Sequence, residues 1–213
     1  MSAPTPTTPG LVFRPAIPCV IGLVGGVASG KSAVAKAFAA RGLCHVDADQ
    51  HARDVVGRTE ILAALCSAFG ADILDEQGAL NRAALADRIF ADQTARLRLE
   101  TITHPAIRAA ILTAAEEALS AGQSVLLDVP LLLEAGLISR CDVVVFVHAS
   151  DAVRAARAAS RGWKSGELAR REAAQAPLAE KRMRAKFVID NDGPLPLTQG
   201  HVDDLLRKLT ASL

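Results

Sequence analysis

Aromatic side chains are almost missing from this chain: they make up 3% of it, Tyr is absent and Trp occurs once. Proteins that hold single-stranded nucleic acid stack its bases on aromatic rings, so that role is not expected. An excess of one charge is missing too. The formal net charge is +1, too small for a protein that lives on polyanions. No apolar run approaches the ~18 residues that cross a bilayer. The four cysteines, Cys19, Cys44, Cys66 and Cys141, form no C-x-x-C pair. That argues for reduced thiols and against a zinc site or a disulfide framework. The start of the chain lacks the charged head and apolar stretch of a secretory signal. No internal repeat is visible. The expectation is a cytoplasmic protein with no nucleic-acid partner and no membrane.

The 213 residues, half of them apolar, suffice for one well-cored α/β domain with an inserted subdomain. The most informative stretch is Gly25-Gly26-Val27-Ala28-Ser29-Gly30-Lys31-Ser32, which fits the G-x-x-x-x-G-K-[ST] pattern. An apolar β-branched run, Cys19 to Val24, precedes it, and a helical pattern from Ala33 to Arg41 follows. Glycines let successive N–H groups turn inward around an anion. The new helix aims its dipole and unpaired N–H groups at the same point. Lys31 adds a charge for the terminal phosphates, and Ser32 a hydroxyl for a phosphate-bound Mg²⁺. This is a phosphate site for ATP or GTP.

Residues 1–18, with five prolines, read as a disordered or loosely docked tail. The second strand is read from Leu43 to Asp49; running on, it would put His45, Asp47 and Asp49 on one face. With His51 these could be mistaken for a zinc cluster, but paired acids past a parallel strand fit ligand presentation better. Residues 50–122 carry apolar residues at helical spacing (Ile61, Leu65, Phe69; Leu85, Ile89; Ile107, Ile111, Leu119). A strand crossover needs only about a dozen residues, so this is a helical insert. Thr103-His104-Pro105 is expected to open its longest helix, with Pro in the first turn. Asp128 ends the apolar strand from Gln123 and stands where an acid reaches the Mg²⁺ shell. A further strand, Asp142 to Val147, leads into a helix with Arg154, Arg157 and Arg161 on one face. From Asp151 to Lys186, Lys and Arg outnumber Asp and Glu by ten to four, either a solvated basic pair of helices or arginines that close on a triphosphate. A last strand, Lys186 to Asp190, the turn Asn191-Asp192-Gly193 and an amphipathic helix with Val202, Leu205, Leu206 and Leu209 complete the chain. The core is thus 19–49 with 123–213, with a lid at about 161–177.

A guanine-reading Asn-Lys-x-Asp is absent, which argues against a GTPase switch. The D-x-x-G at Asp75 falls between helices. What remains is a small kinase, and here the residues resemble the dephospho-coenzyme A kinase family. The resemblance runs from about Cys19 to the last helix. It rests on the phosphate loop, Asp47-Ala48-Asp49 with Ala52-Arg53, Leu80-Asn81-Arg82 and Thr103-His104-Pro105 with Ile107-Arg108. It continues through Asp128-Val129-Pro130-Leu131-Leu132-Leu133-Glu134, Gln175-x-Pro177, Lys181-Arg182 and Ile189-Asp190-Asn191-x-Gly193. The resemblance implies a three-layer α/β P-loop kinase fold: a five-stranded parallel sheet flanked by helices, a helical substrate-binding insert and a lid. It implies transfer of the γ-phosphoryl of ATP to the ribose 3′-hydroxyl of dephospho-CoA, with Mg²⁺, by a monomer or weak homo-oligomer. Asp49 would take or orient the acceptor proton, with Asp47 and Asp128 as alternatives for that role or for Mg²⁺. Lys31, Arg157, Arg161 and Arg171 would offset charge on the γ-phosphoryl oxygens. Gly25 to Ala33, Arg171 and Asn191 would hold the nucleotide; Asp47, Asp49, Arg82, His104, Arg108 and Asp128 the acceptor. This chain departs from the family pattern at Ala28 (usually Gly), Ala33 (usually Thr) and Glu172 (usually apolar). A kinase for another small metabolite and a non-catalytic nucleotide sensor are the rival readings.

Overall fold

The computed structural model describes residues 11–90 and 92–211. For residues 1–10, the tail expectation lies outside the described residues. Five strands form one parallel sheet in the order β2-β3-β1-β4-β5, flanked by helices. They are β1 (Val20–Gly25), β2 (Cys44–Asp47), β3 (Val125–Asp128), β4 (Val143–His148) and β5 (Phe187–Asp190). β1 is central. It pairs with β3 from Val20↔Val125 to Gly22↔Leu127 and with β4 from Ile21↔Val143 to Gly25↔Val147. All six residues of β1 are buried, as a strand covered on both faces requires.

Helix α1 (Lys31–Ala39) and the last helix, α9 (Leu195–Thr210), share the main core with the sheet through Phe38, Val34, Val202 and Leu206. Phe13 also joins this core, 5% exposed, and its amide donates to the Arg41 carbonyl at 2.8 Å. Helices α6 (Asp151–Ser160), α7 (Glu167–Ala173) and α8 (Leu178–Arg184) connect β4 to β5.

The chain divides into two compact units: residues up to 46 with residues from 115 onward, and Asp47–Ala114. The second unit holds α2 (Ala48–Val55), α3 (Thr59–Phe69), α4 (Arg82–Phe90) and most of α5 (Gln93–Ser120). Leu65, Phe69, Ile73 and Leu85 form its buried centre, and Leu99 and Ile102 pack on it.

Two local expectations change. The second strand does not run on to Asp49: it ends at Asp47, whose carboxylate caps α2. Thr103-His104-Pro105 does not open a helix. It lies inside the 28-residue α5, which starts at Gln93. Thr103, 5% exposed, and Ile111, 2% exposed, are buried along one continuous helix. Packing of that face outweighs the hydrogen bond that Pro105 cannot donate. Among the described residues no helix is long and apolar enough to cross a membrane, and all four cysteines are free.

Candidate active site

β1 ends at Gly25 and α1 begins at Lys31, so Gly26 to Gly30 make a tight loop at the carboxyl edge of the sheet. Gly30 is left-handed (φ 87°, ψ 27°) and starts α1 with no side-chain cap. The first N–H groups of a helix lack intrahelical acceptors and attract anions. Ala28 is also left-handed, at φ 61°. Substitution at the glycines is blocked by backbone and side chains: a Cβ on Gly25 would meet Val147 O at 2.7 Å, and one on Gly30 would meet Asn191 Nδ2 at 2.2 Å.

The loop is braced from the far side of the sequence. Ser29 O accepts from Arg157 Nη1 at 2.8 Å and Asn191 Nδ2 at 2.7 Å. Arg157 Nη2 donates to Asn191 O at 2.6 Å, and Thr198 Oγ1 to Asn191 Oδ1 at 2.7 Å. Arg157 and Asn191, expected at the phosphates, here engage the loop's own backbone. Ser29 Oγ is 1% exposed by residue and has no hydrogen-bond partner.

Asp128 lies one residue past the last β1–β3 pairing, and its Oδ2 is 3.2 Å from His45 Nε2 on β2. Asp47 Oδ1 accepts from the amides of Asp49 at 2.9 Å and Gln50 at 3.3 Å. That makes it an N-cap, and it places Asp49, exposed, in the first turn of α2. Among the described residues the metal-competent group that closes within 4.8 Å is exposed His148, Asp190 and Asp192, not His45, Asp47, Asp49 and His51.

Within the second unit, a cavity of about 380 Å³ is lined by Asp49, Arg53, Arg82, Leu85, Thr103 and Ile107 among others. Thus Asp49 and Arg82 share one cavity. His104 and Arg108 are exposed on α5 and are not among its lining residues.

Between α6 and α8, Trp163 has Arg171 over its ring at 4.4 Å and Arg161 at 5.5 Å. Arg171 Nε also donates to Glu167 Oε1 at 2.7 Å, and the Glu167 carboxyl is held below its usual range chiefly by that bond. Buried Lys181 donates to Gln175 Oε1 at 2.6 Å; burial pulls its pKa down, against the opposing influence of Glu134. Glu134 in turn accepts from the Ala176 amide at 2.6 Å.

His45, Trp163, Glu134, Lys181 and Arg154 were not singled out as candidate site residues from sequence. Arg154's spacing to Arg157 is visible in sequence, but its partner Glu172 lies on another element, α7.

A glycine-rich strand–helix loop with Lys and Ser at the helix start, on a 2-3-1-4-5 parallel sheet, defines a P-loop kinase. The dephospho-CoA kinase family model matches residues 19–196. A dephospho-CoA kinase of Anaeromyxobacter dehalogenans is 45% identical over 193 residues, covering 89% of this chain and 92% of that protein. A crystal structure from Thermus thermophilus superposes with TM-score 0.73 at 33% identity, covering 92% of this chain and 98% of the other. Dephospho-CoA kinase from Campylobacter jejuni shares the fold, with TM-score 0.68 at 19% identity over 91% of this chain and 98% of that one. The chain belongs to the dephospho-CoA kinase family. It is a kinase that uses ATP and acts on a small molecule.

Proposed function

We propose that this chain transfers the γ-phosphoryl group of ATP to the ribose 3′-hydroxyl of dephospho-CoA, the last step of coenzyme A synthesis. The observation that carries the reading is the phosphate loop: an uncapped α1 N-terminus behind left-handed Gly30, with the Ser29 carbonyl tied back by Arg157 and Asn191. A helix start behind left-handed Gly30 with no side-chain cap suits close approach of phosphate oxygens to backbone N–H groups.

Catalysis of this kind is positioning and charge neutralisation. Lys31, at the first position of α1, follows the terminal phosphates. Ser32 and Asp128 offer hard oxygen donors that suit Mg²⁺. When bound, Mg²⁺ neutralises phosphate charge. Asp49 accepts or orients the acceptor proton. Arg82 and the insert's cavity hold part of dephospho-CoA, with His104 and Arg108, exposed positions of α5, serving its charged groups. Arg161 and Arg171, on the lid at about 161–177, swing from Trp163 to the transferring group. Arg157 and Asn191 keep the loop in shape. We infer further a cytoplasmic monomer or weak homo-oligomer without nucleic-acid partners.

The test is coupled ADP release with dephospho-CoA, with other nucleosides and small metabolites, and with no acceptor. Release that depends on dephospho-CoA is expected. Preference for another acceptor would make it a different small-metabolite kinase, and none with any acceptor would leave a nucleotide sensor.

A further inference from the structure

Helix α7 has no fully buried residue, and its Leu168 is only half-buried, so apolar packing does little to dock it. Its side-chain contacts include ion pairs, hydrogen bonds and the Arg171–Trp163 stack. Near its C-terminal end, Glu172 Oε1 is ion-paired with Nη1 of Arg154 on α6. The side chains are 30% and 7% exposed. Arg154 Nη2 also meets Asp151 Oδ1 at 2.7 Å, while its Nε has no partner. The same guanidinium lies against the phosphate loop: a Cβ on Gly26 would sit 2.9 Å from Arg154 Nη1 and 3.3 Å from its Cδ. Glu172 shares a cavity of about 220 Å³ with Val27 of the loop, Gln175 and Lys181. Beside Glu172 in the chain is Arg171, stacked on Trp163.

We infer that Arg154 and Glu172 are positioning residues for phosphoryl transfer: their ion pair docks α7 against the phosphate loop and so presents Arg171. This role rests on the lid reading above. Glu172 and Asp151 together offset the buried Arg154 charge, and Glu172 is the partner that lies on α7. Removing Glu172 leaves the buried Arg154 with Asp151 alone, and removing either residue deprives α7 of this ion pair to α6. An ordinary fold-stabilising pair would shift melting alone, whereas a pair that positions α7 also alters its exposure and the chemistry.

The experiment compares full-length wild type, Glu172→Gln, Arg154→Gln and the double variant. It reads the rate of limited proteolysis between Gly162 and Pro177 without ligand, and kcat and KM for ATP with dephospho-CoA. Each single variant is expected to be cut about tenfold faster and to lose about tenfold in kcat/KM, with the double no worse than either single, since the two act as one unit. Lower melting temperatures with cleavage and kinetics within about twofold of wild type would overturn the inference. So would losses that multiply in the double variant. If Arg154→Gln fails to fold, Glu172→Gln decides by the same two readouts. If wild type releases no ADP in response to dephospho-CoA, the functional reading fails, while the cleavage rates still decide whether the pair docks α7.

Discussion

At the scale of single residues, Lys31 and Ala28 carry the clearest consequences. Lys31→Ala removes a charge that strengthens its contact as the γ-phosphoryl group moves. Loss of such a contact costs on the order of 3 kcal/mol, roughly a hundredfold in kcat. Turnover near wild type in an ADP-release assay would exclude the loop as the catalytic phosphate site. Ala28 holds φ 61° with a methyl group where glycine would be unstrained. The left-handed conformation costs an L-residue roughly 1–2 kcal/mol. Glycine returns about 0.5–1 kcal/mol of that through its freer unfolded chain. Ala28→Gly is therefore expected to stabilise by about 0–1.5 kcal/mol in urea denaturation. A loss above about 1 kcal/mol would mean that packing of the methyl, in a residue 7% exposed, outweighs the strain.

Helix ends and helix pairs make their own predictions. Asp47 caps α2 and Asp49 sits within its first turn, so two neighbouring acids have different jobs. Asp47→Asn retains an N-capping oxygen and is expected to change stability by less than about 1 kcal/mol. Asp49→Asn keeps size and hydrogen bonding but cannot take a proton, and kcat is expected to fall about 10²–10⁴-fold with ATP Kd little changed. If Asp47→Asn loses turnover and Asp49→Asn keeps it, the base is assigned to the wrong carboxylate. Within the first unit, Arg41, just past α1, makes a two-point pair with Asp203 of α9, at 2.7 and 2.9 Å. The Asp203 carboxyl is held below its usual range, first by the hydrogen bond from Arg41, with burial opposing and the Arg41 charge assisting. A depressed folded pKa means that the stabilisation is fully present above the unfolded value, about 3.9. It is lost as pH falls through the lower folded value. Asp203→Asn should thus be clearly destabilising at neutral pH, and the difference from wild type should shrink with acidification below about pH 4. Urea midpoints across that range check it; a difference that grows on acidification would contradict the assignment.

For the whole molecule, the expected behaviour is closure of the basic segment over bound nucleotide. Cleavage between Gly162 and Pro177 should slow when ATP and dephospho-CoA are both present. Unchanged cleavage with both ligands would count against a lid. Arg161 and Arg171 stacked on Trp163 offer a second readout, because this is the chain's single Trp. Its fluorescence is expected to shift when the two guanidinium groups leave the ring for phosphate.

The phosphate loop could be read from eight consecutive residues because its chemistry is local: a strand end, glycines that turn and a helix start need no distant partner to be specified. The central parallel strands were also legible, since burial on both faces leaves continuous apolar runs such as Val143 to Val147, whereas the end of β2 was not. The partners of the polar side chains were not. Arg157 shares a helix face with Arg154 and Arg161, yet its hydrogen bonds reach Ser29, 128 positions away, and Asn191, 34 away. Glu172 looked only like a departure from an apolar pattern until α6 placed Arg154 against it. Thr103-His104-Pro105 carried a local helix-start signal, and burial of Thr103 and Ile111 within one long α5 overrode it. Sequence alone determined where backbone turns and apolar faces must fall, because those follow from neighbouring residues. The tertiary structure decided which charges meet, because an ion pair depends on distances through space that chain spacing does not set.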